Sequence, residues 1–123
     1  MKNISIFGAP YEPKSEPVKL NGHSVLVHEF LDEDYFQHVT LPMREMGYPD
    51  NDEPAEVARY NRAFNVRLVA LALQPSLKAE ISDILTALSK ETMKSMELLL
   101  AGAMRVNGLD QVKNSQTTTS DKD

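Results

Sequence analysis

The chain reads as a mainly α protein with a short N-terminal β-hairpin, an α+β fold with about four helices packed around one small core. Two observations predict this. A lone Asn21-Gly22 pair sits between two short apolar runs near the N-terminus. From Asp32 onward, apolar residues recur at three- and four-residue steps, the spacing that places them on one face of a helix.

The elements follow in order. Residues 1–17 carry Gly8, Pro10, Pro13 and Pro17, and proline lacks the N–H that helices and ladders need. This segment is expected to be an extended arm, with Ile4, Ile6 and Phe7 available as a short edge strand or for docking on a partner. The single domain is expected over residues 18–109. It opens with a strand at Val18 to Leu20, the Asn21-Gly22 turn, and a second strand at His23 to Phe30. Asn-Gly favours a type I′ turn because both residues tolerate positive φ, and that turn matches the twist of the flanking strands. Alternation puts Val25, Val27 and Glu29 on one face of the second strand, and Leu26, His28 and Phe30 on the other.

Asp32 then caps a first helix to about Leu41, and its acidic neighbours Glu33 and Asp34 complement the dipole at a helix start. Tyr35, Phe36, Val39 and Leu41 are its apolar residues. Pro42 is expected to kink or restart it before a further turn from Met43 to Met46. Residues 47–52 are a loop by composition. A second helix opens at Asp52-Glu53-Pro54, with an aspartate cap and proline in the first turn. Val57, Tyr60, Phe64, Leu68 and Leu71 mark its apolar face, and it stops before Gln74-Pro75. A third helix, from Ser76 or Leu77 to Leu88, aligns Leu77, Ile81, Ile84, Leu85 and Leu88. Ser89 caps a fourth, from Lys90 to Val106, whose core face is Met93, Met96, Leu100 and Ala103. Asn107-Gly108 ends it, since both tolerate the left-handed cap. Residues 110–123 form a polar tail that is expected to be disordered.

Composition narrows the function. Eighteen acidic and thirteen basic residues give a net charge of −5 over 123 residues, a poor match to nucleic-acid phosphates. The absence of cysteine excludes disulfides and thiolate metal sites. No apolar run is long enough to span a bilayer or serve as a secretory signal, so a cytoplasmic protein is expected. His23, His28 and His38 have no i, i+4 partner on one helix and read as surface histidines rather than metal ligands. Asp32-Glu33-Asp34 is more simply a helix start than a pair of catalytic carboxylates. Asp50-Asn51-Asp52-Glu53 lacks the ligand spacing and glycine of a calcium loop. No phosphate-binding glycine loop or activated nucleophile is present. No enzyme activity, metal or cofactor is expected. Met43, Met46, Met93, Met96 and Met104 read as core fillers, with Met43 and Met46 beside the Pro42 break also suited to a surface that repacks against partners.

The order of features resembles the tail assembly chaperones of long-tailed bacteriophages, of the lambda and HK97 type. The stretches that carry the likeness are LNGHSVLVHEFLDEDYFQHV, FNVRLVALAL and AMRVNGLD, within residues 18–109. The chain departs from the pattern around LPMREMGYPDNDEP and after Leu73. The resemblance implies a non-catalytic protein of the host bacterial cytoplasm, absent from the mature virion. It would bind the tape measure protein, keep it soluble, and recruit tail tube protein so that the tube polymerises. Val25, Val27, Phe30, Tyr35, Phe36, Met43 and Met46 are the expected partner-binding residues. The hairpin is expected to pack on the helices and pair through one edge with another copy, giving a homo-oligomer. Two other classes remain: a small phage or prophage regulatory protein binding a host factor, and a small helical enzyme.

The family resemblance also implies a longer product made by programmed frameshifting. Val112-Lys113-Asn114 can be written GTA AAA AAC, which contains a slippery heptamer. The gene is expected to carry that run with an overlapping downstream frame; sequencing that finds other codons there and no such frame removes the expectation.

Overall fold

The computed structural model describes residues 6–8 and 12–110. The fold is mainly α with an N-terminal hairpin, as expected. Strands β1 (Ser15–Leu20) and β2 (His23–His28) form the hairpin. Helix α1 covers residues 32–46, α2 is Pro54–Leu77, α3 is Ile81–Leu88 and α4 is Met93–Val106. Helix α2 is the central element, contacted by the other three helices and by β2. Residues 68–73 of α2 are buried without interruption. A helix apolar on all sides is one enclosed on all sides, and Leu68-Val69-Ala70-Leu71-Ala72-Leu73 is such a run.

The turn has the expected geometry, with φ of 52° at Asn21 and 81° at Gly22. Register follows from it: Val18 faces Val25, Pro17 faces Leu26 and Glu16 faces Val27. β1 is longer than expected, since Ser15 to Pro17 belong to the strand rather than to the arm. Pro17 is tolerated for a reason of parity. Glu29 N–H donates to the Lys14 carbonyl at 2.8 Å, so residues 14, 16 and 18 occupy hydrogen-bonded sites and residue 17 points its missing donor outward. Of the expected arm, Ile6 and Phe7 are exposed; Ile4 and the tail after Asp110 lie outside the described residues.

Helix α1 departs from expectation at both ends of its problem proline. Leu31, not Asp32, takes the cap position, and Asp32, Glu33 and Asp34 fill the first turn. The helix does not break at Pro42. Residues Phe36–Thr40 widen into a π turn, with Leu41 N–H reaching back five residues to the Phe36 carbonyl. A proline ring clashes with the carbonyl four residues earlier, here that of His38. Widening makes room, and Arg67 Nη1 from α2 donates to that carbonyl at 3.4 Å.

Other boundaries also shift. Glu53 caps α2, not Asp52. α2 runs through Pro75 to Leu77 and ends at Lys78, which adopts a left-handed φ of 52°. Proline so close to a C-terminus removes only the bond to the Leu71 carbonyl. Leu77 is therefore exposed at the end of α2 rather than on α3's core face, which is Ile81, Ile84 and Leu88. Thr92 caps α4, its hydroxyl accepting from Ser95 N–H at 3.1 Å. The buried stripe of α4 is Ser95, Leu99, Gly102 and Ala103, whereas Met93 is 80% exposed. Of the expected face, Ala103 is buried, Met96 and Leu100 pack against the core and Met93 alone is off it; the stripe turns toward Ser95 and Gly102, which do not read as core residues.

Gly102 explains that rotation. A Cβ at this position would lie 2.7 Å from Val18 Cγ2 and 3.3 Å from Val27 Cγ2. The hairpin rests its two buried valines directly on the helix backbone. Two further ties hold its ends. Arg105 pairs with Glu16 through both Nε and Nη2. This hydrogen bond is the main reason the guanidinium pKa rises above its ordinary value. The pair is partly exposed and fixes alignment more than stability. The Asn107 amide bonds three backbone groups: its Oδ1 accepts from Phe30 N–H, and its Nδ2 donates to the carbonyls of His28 and Ala103.

Gly102→Ala tests the seat. At an exposed helical site, glycine to alanine stabilises by about 1 kcal/mol. Here overpacking against stiff valines costs about 1–3 kcal/mol, so net destabilisation is expected in urea denaturation. A more stable variant means the contact is absent.

Candidate functional site

The hairpin has two edges, and they differ. Residues 24, 26 and 28 of β2 direct their backbone groups away from β1. Ser76 Oγ donates to the Leu26 carbonyl at 2.8 Å, and the Asn107 amide takes the His28 carbonyl and Phe30 N–H. Pro75, by leaving the helix unbroken, carries Ser76 to this position. A serine hydroxyl has one proton; with that proton on Leu26, the 2.7 Å contact between Ser76 Oγ and His28 Nε2 makes the imidazole nitrogen the donor. This edge is occupied by side chains of α2 and of the α4 cap. The outward edge of β1 offers Ser15, Pro17 and Lys19, and both proline and lysine hinder strand addition. Of the two edges, the β2 edge is the one that side chains of the helices occupy.

The expected partner-binding residues separate into three groups. Val27 and Met43 are buried in the chain's own core and present no surface. Phe30 and Tyr35 stack at 5.9 Å between ring centroids, and Tyr35 meets Phe64 edge-on at 6.4 Å. These rings join the end of β2 to α1 and α2. Burial, then the neighbouring Tyr60, raises the Tyr35 hydroxyl pKa, so it stays protonated at neutral pH. Phe36 and Met46 are exposed, and Val25 is half-buried. Only Val25 lines the concavity beside the hairpin turn.

That concavity is an open groove of about 400 Å³ at the turn end of the hairpin. One wall is the inner face of the hairpin, Val18, Leu20 and Val25. The opposite wall is α3 with Ile84, Ala87 and Leu88, and the floor is Leu73, Leu98 and Leu99. Leu77 stands at its mouth. Polar groups sit around this surface, from Asn21, His23, Ser24, Glu91 and Ser95. Ser95 Oγ donates to Glu91 Oε1 at 2.7 Å, which satisfies the buried hydroxyl. The groove arises because the turn projects beyond the end of its seat at Gly102, so α3 and the hairpin stand apart over a leucine floor. Sequence reading missed it: Leu77, Ala87 and Leu98 come from three helices, and their meeting is a tertiary fact.

Among the described residues, no three His, Asp or Glu side chains converge as metal ligands. Also among the described residues, no helix is long and apolar enough to cross a membrane. No family model matches the chain, and neither a curated protein nor a solved structure does.

A paired substitution tests whether the mouth is open. Leu73→Ala, in the floor, is expected to cost about 2–5 kcal/mol. Leu77→Ala, half-exposed at the lip, is expected to cost under about 1 kcal/mol. Equal losses in chemical denaturation mean that the groove is closed in solution.

Proposed function

We propose that the chain is a non-catalytic phage tail assembly chaperone whose groove holds an apolar stripe of the tape measure protein. The observation that carries this reading is the groove itself: an apolar floor with polar groups around it, open to solvent. Amphipathic helices bind in this way, inserting residues spaced by one turn into an apolar trough while their polar face stays wet. A tape measure protein, as a long helical chain that must stay soluble before the tube forms around it, is a partner of that chemistry. The resemblance of residues 18–109 to the family supports the same reading. So does the order of hairpin, four helices and Asn-Gly terminus in the fold. The protein would act in the cytoplasm of the host bacterium, recruit tail tube subunits and be absent from the finished virion.

Co-expression with the tape measure protein of the same genome tests the proposal. The two are expected to co-purify, with more tape measure protein in the soluble fraction. Ala87→Glu places a charge in the groove from an exposed helical position, so it should fold normally and abolish co-purification. If the unaltered pair neither co-purifies nor changes the solubility of the tape measure protein, the chaperone reading fails. Undiminished capture by Ala87→Glu moves the binding site elsewhere.

A further inference from the structure

A second concavity lies on a different face, apolar within and flanked by arginines. Arg59, Arg62, Ala63, Val66 and Arg67 recur along α2 at three- and four-residue steps and form one stripe. With Leu85 and Ser89 of α3 they line a groove of about 330 Å³. The chain is acidic overall, with a net charge of −5 and only five arginines, yet three of them line this one groove. No carboxylate is among its lining residues.

The existing partners of these arginines leave most of their donors uncommitted. Arg59 meets Glu56 at 3.4 Å in a pair whose side chains are 68% and 47% exposed. Such a pair is worth little and is readily exchanged. Arg67 places Nη1 on the His38 carbonyl at 3.4 Å, which fixes its guanidinium and leaves four of its five N–H donors. Arg62 is exposed on the same stripe, one turn from Arg59. Like charges one turn apart repel each other, a cost that an anionic partner would relieve. Between the arginines, Ala63, Val66 and Leu85 form an apolar strip.

We propose that this groove docks an acidic segment of a partner protein, with carboxylates paired to Arg59, Arg62 and Arg67 and one apolar side chain on Ala63, Val66 and Leu85. The spacing favours a helix. From Arg59 to Arg67 is about 12 Å along α2, so carboxylates one turn apart on a partner helix would meet successive guanidinium groups. Arginine suits carboxylates because its planar fork bonds both oxygens. The apolar strip distinguishes this occupant from a nucleic acid. A duplex needs a basic footprint wider than two helical turns, and the rest of this acidic surface would repel it. The site is separate from the groove at the hairpin turn, so one chain could hold two partner segments at once.

Fluorescence anisotropy of the full chain with a labelled, short amphipathic helical peptide of Glu, Ala and Leu tests the assignment, with a Gln-for-Glu peptide as control. In the Ala87→Glu background, where the groove beside the hairpin turn is blocked, binding to the Glu peptide alone is expected, weakening steeply as salt rises from about 50 to 500 mM. Arg62→Ala is expected to weaken it about tenfold and Arg59→Glu/Arg62→Glu about a hundredfold. Lys19→Ala, which removes the same single positive charge as Arg62→Ala but on β1, should leave it unaltered. No binding at low salt, or binding indifferent to the arginine substitutions, overturns the proposal. Equal binding of a DNA duplex, lost in the same variants, makes the groove a phosphate site and also overturns it. So does a fall in the mass of the protein alone on Arg59→Glu/Arg62→Glu, which would make the occupant a second copy.

Discussion

A two-stranded hairpin in water is marginal on its own, and this one persists because α4 gives it a place without side chains. At Gly102 the helix surface drops to its backbone, and Val18 and Val27 fill the depression. Burying a valine contributes about 1.5–3 kcal/mol, so the two together rival the whole stability of a small sheet. Everything else about the N-terminal half depends on that contact. It sets the tilt at which β2 reaches Ser76 and Asn107, and it holds the hairpin turn off α3 so that a groove remains. The Phe30, Tyr35 and Phe64 rings continue the same line into α1 and α2.

The polar ties then decide which surfaces are left. Backbone groups of a strand edge must be bonded or wet. Along β2 they are bonded by a hydroxyl and an amide rather than by a third strand. A side-chain amide that accepts from one residue and donates to the carbonyl two positions earlier imitates a neighbouring strand, but it cannot be extended. On that side the sheet therefore stops at β2. Among the described residues, two of the concave faces left are a leucine-floored groove beside the turn and an arginine-flanked groove on α2.

Local signals were legible and tertiary ones were not. The hairpin could be read from Asn21-Gly22 because the turn's chemistry is contained in two residues. The existence of four helices followed from periodicity. Their ends did not: Pro42 is accommodated by a π turn and by Arg67, distant in sequence, and Pro75 by lying in the last turn of its helix. On α4 the places of Ala103, Met96 and Leu100 could be read, but not those of Ser95 and Gly102, because a methionine at helical spacing such as Met93 looks more like core than a serine or a glycine does. Ser95 is buried only because Glu91 bonds it, and Gly102 only because the hairpin needs the space. For the same reason Val27 and Met43, read as partner-binding, are core. A residue's apolarity does not say whether its own chain or another will cover it.

The distance between the hairpin and its seat also has a consequence for synthesis. Glu16 and Arg105 are 89 positions apart, and Phe30 and Asn107 are 77 apart. A chain emerging N-terminus first presents its hairpin valines long before α4 exists to receive them, and non-local contacts of this kind close late. On the ribosome, then, the hairpin waits for a helix made much later, and it stays unlocked until Asn107 has emerged.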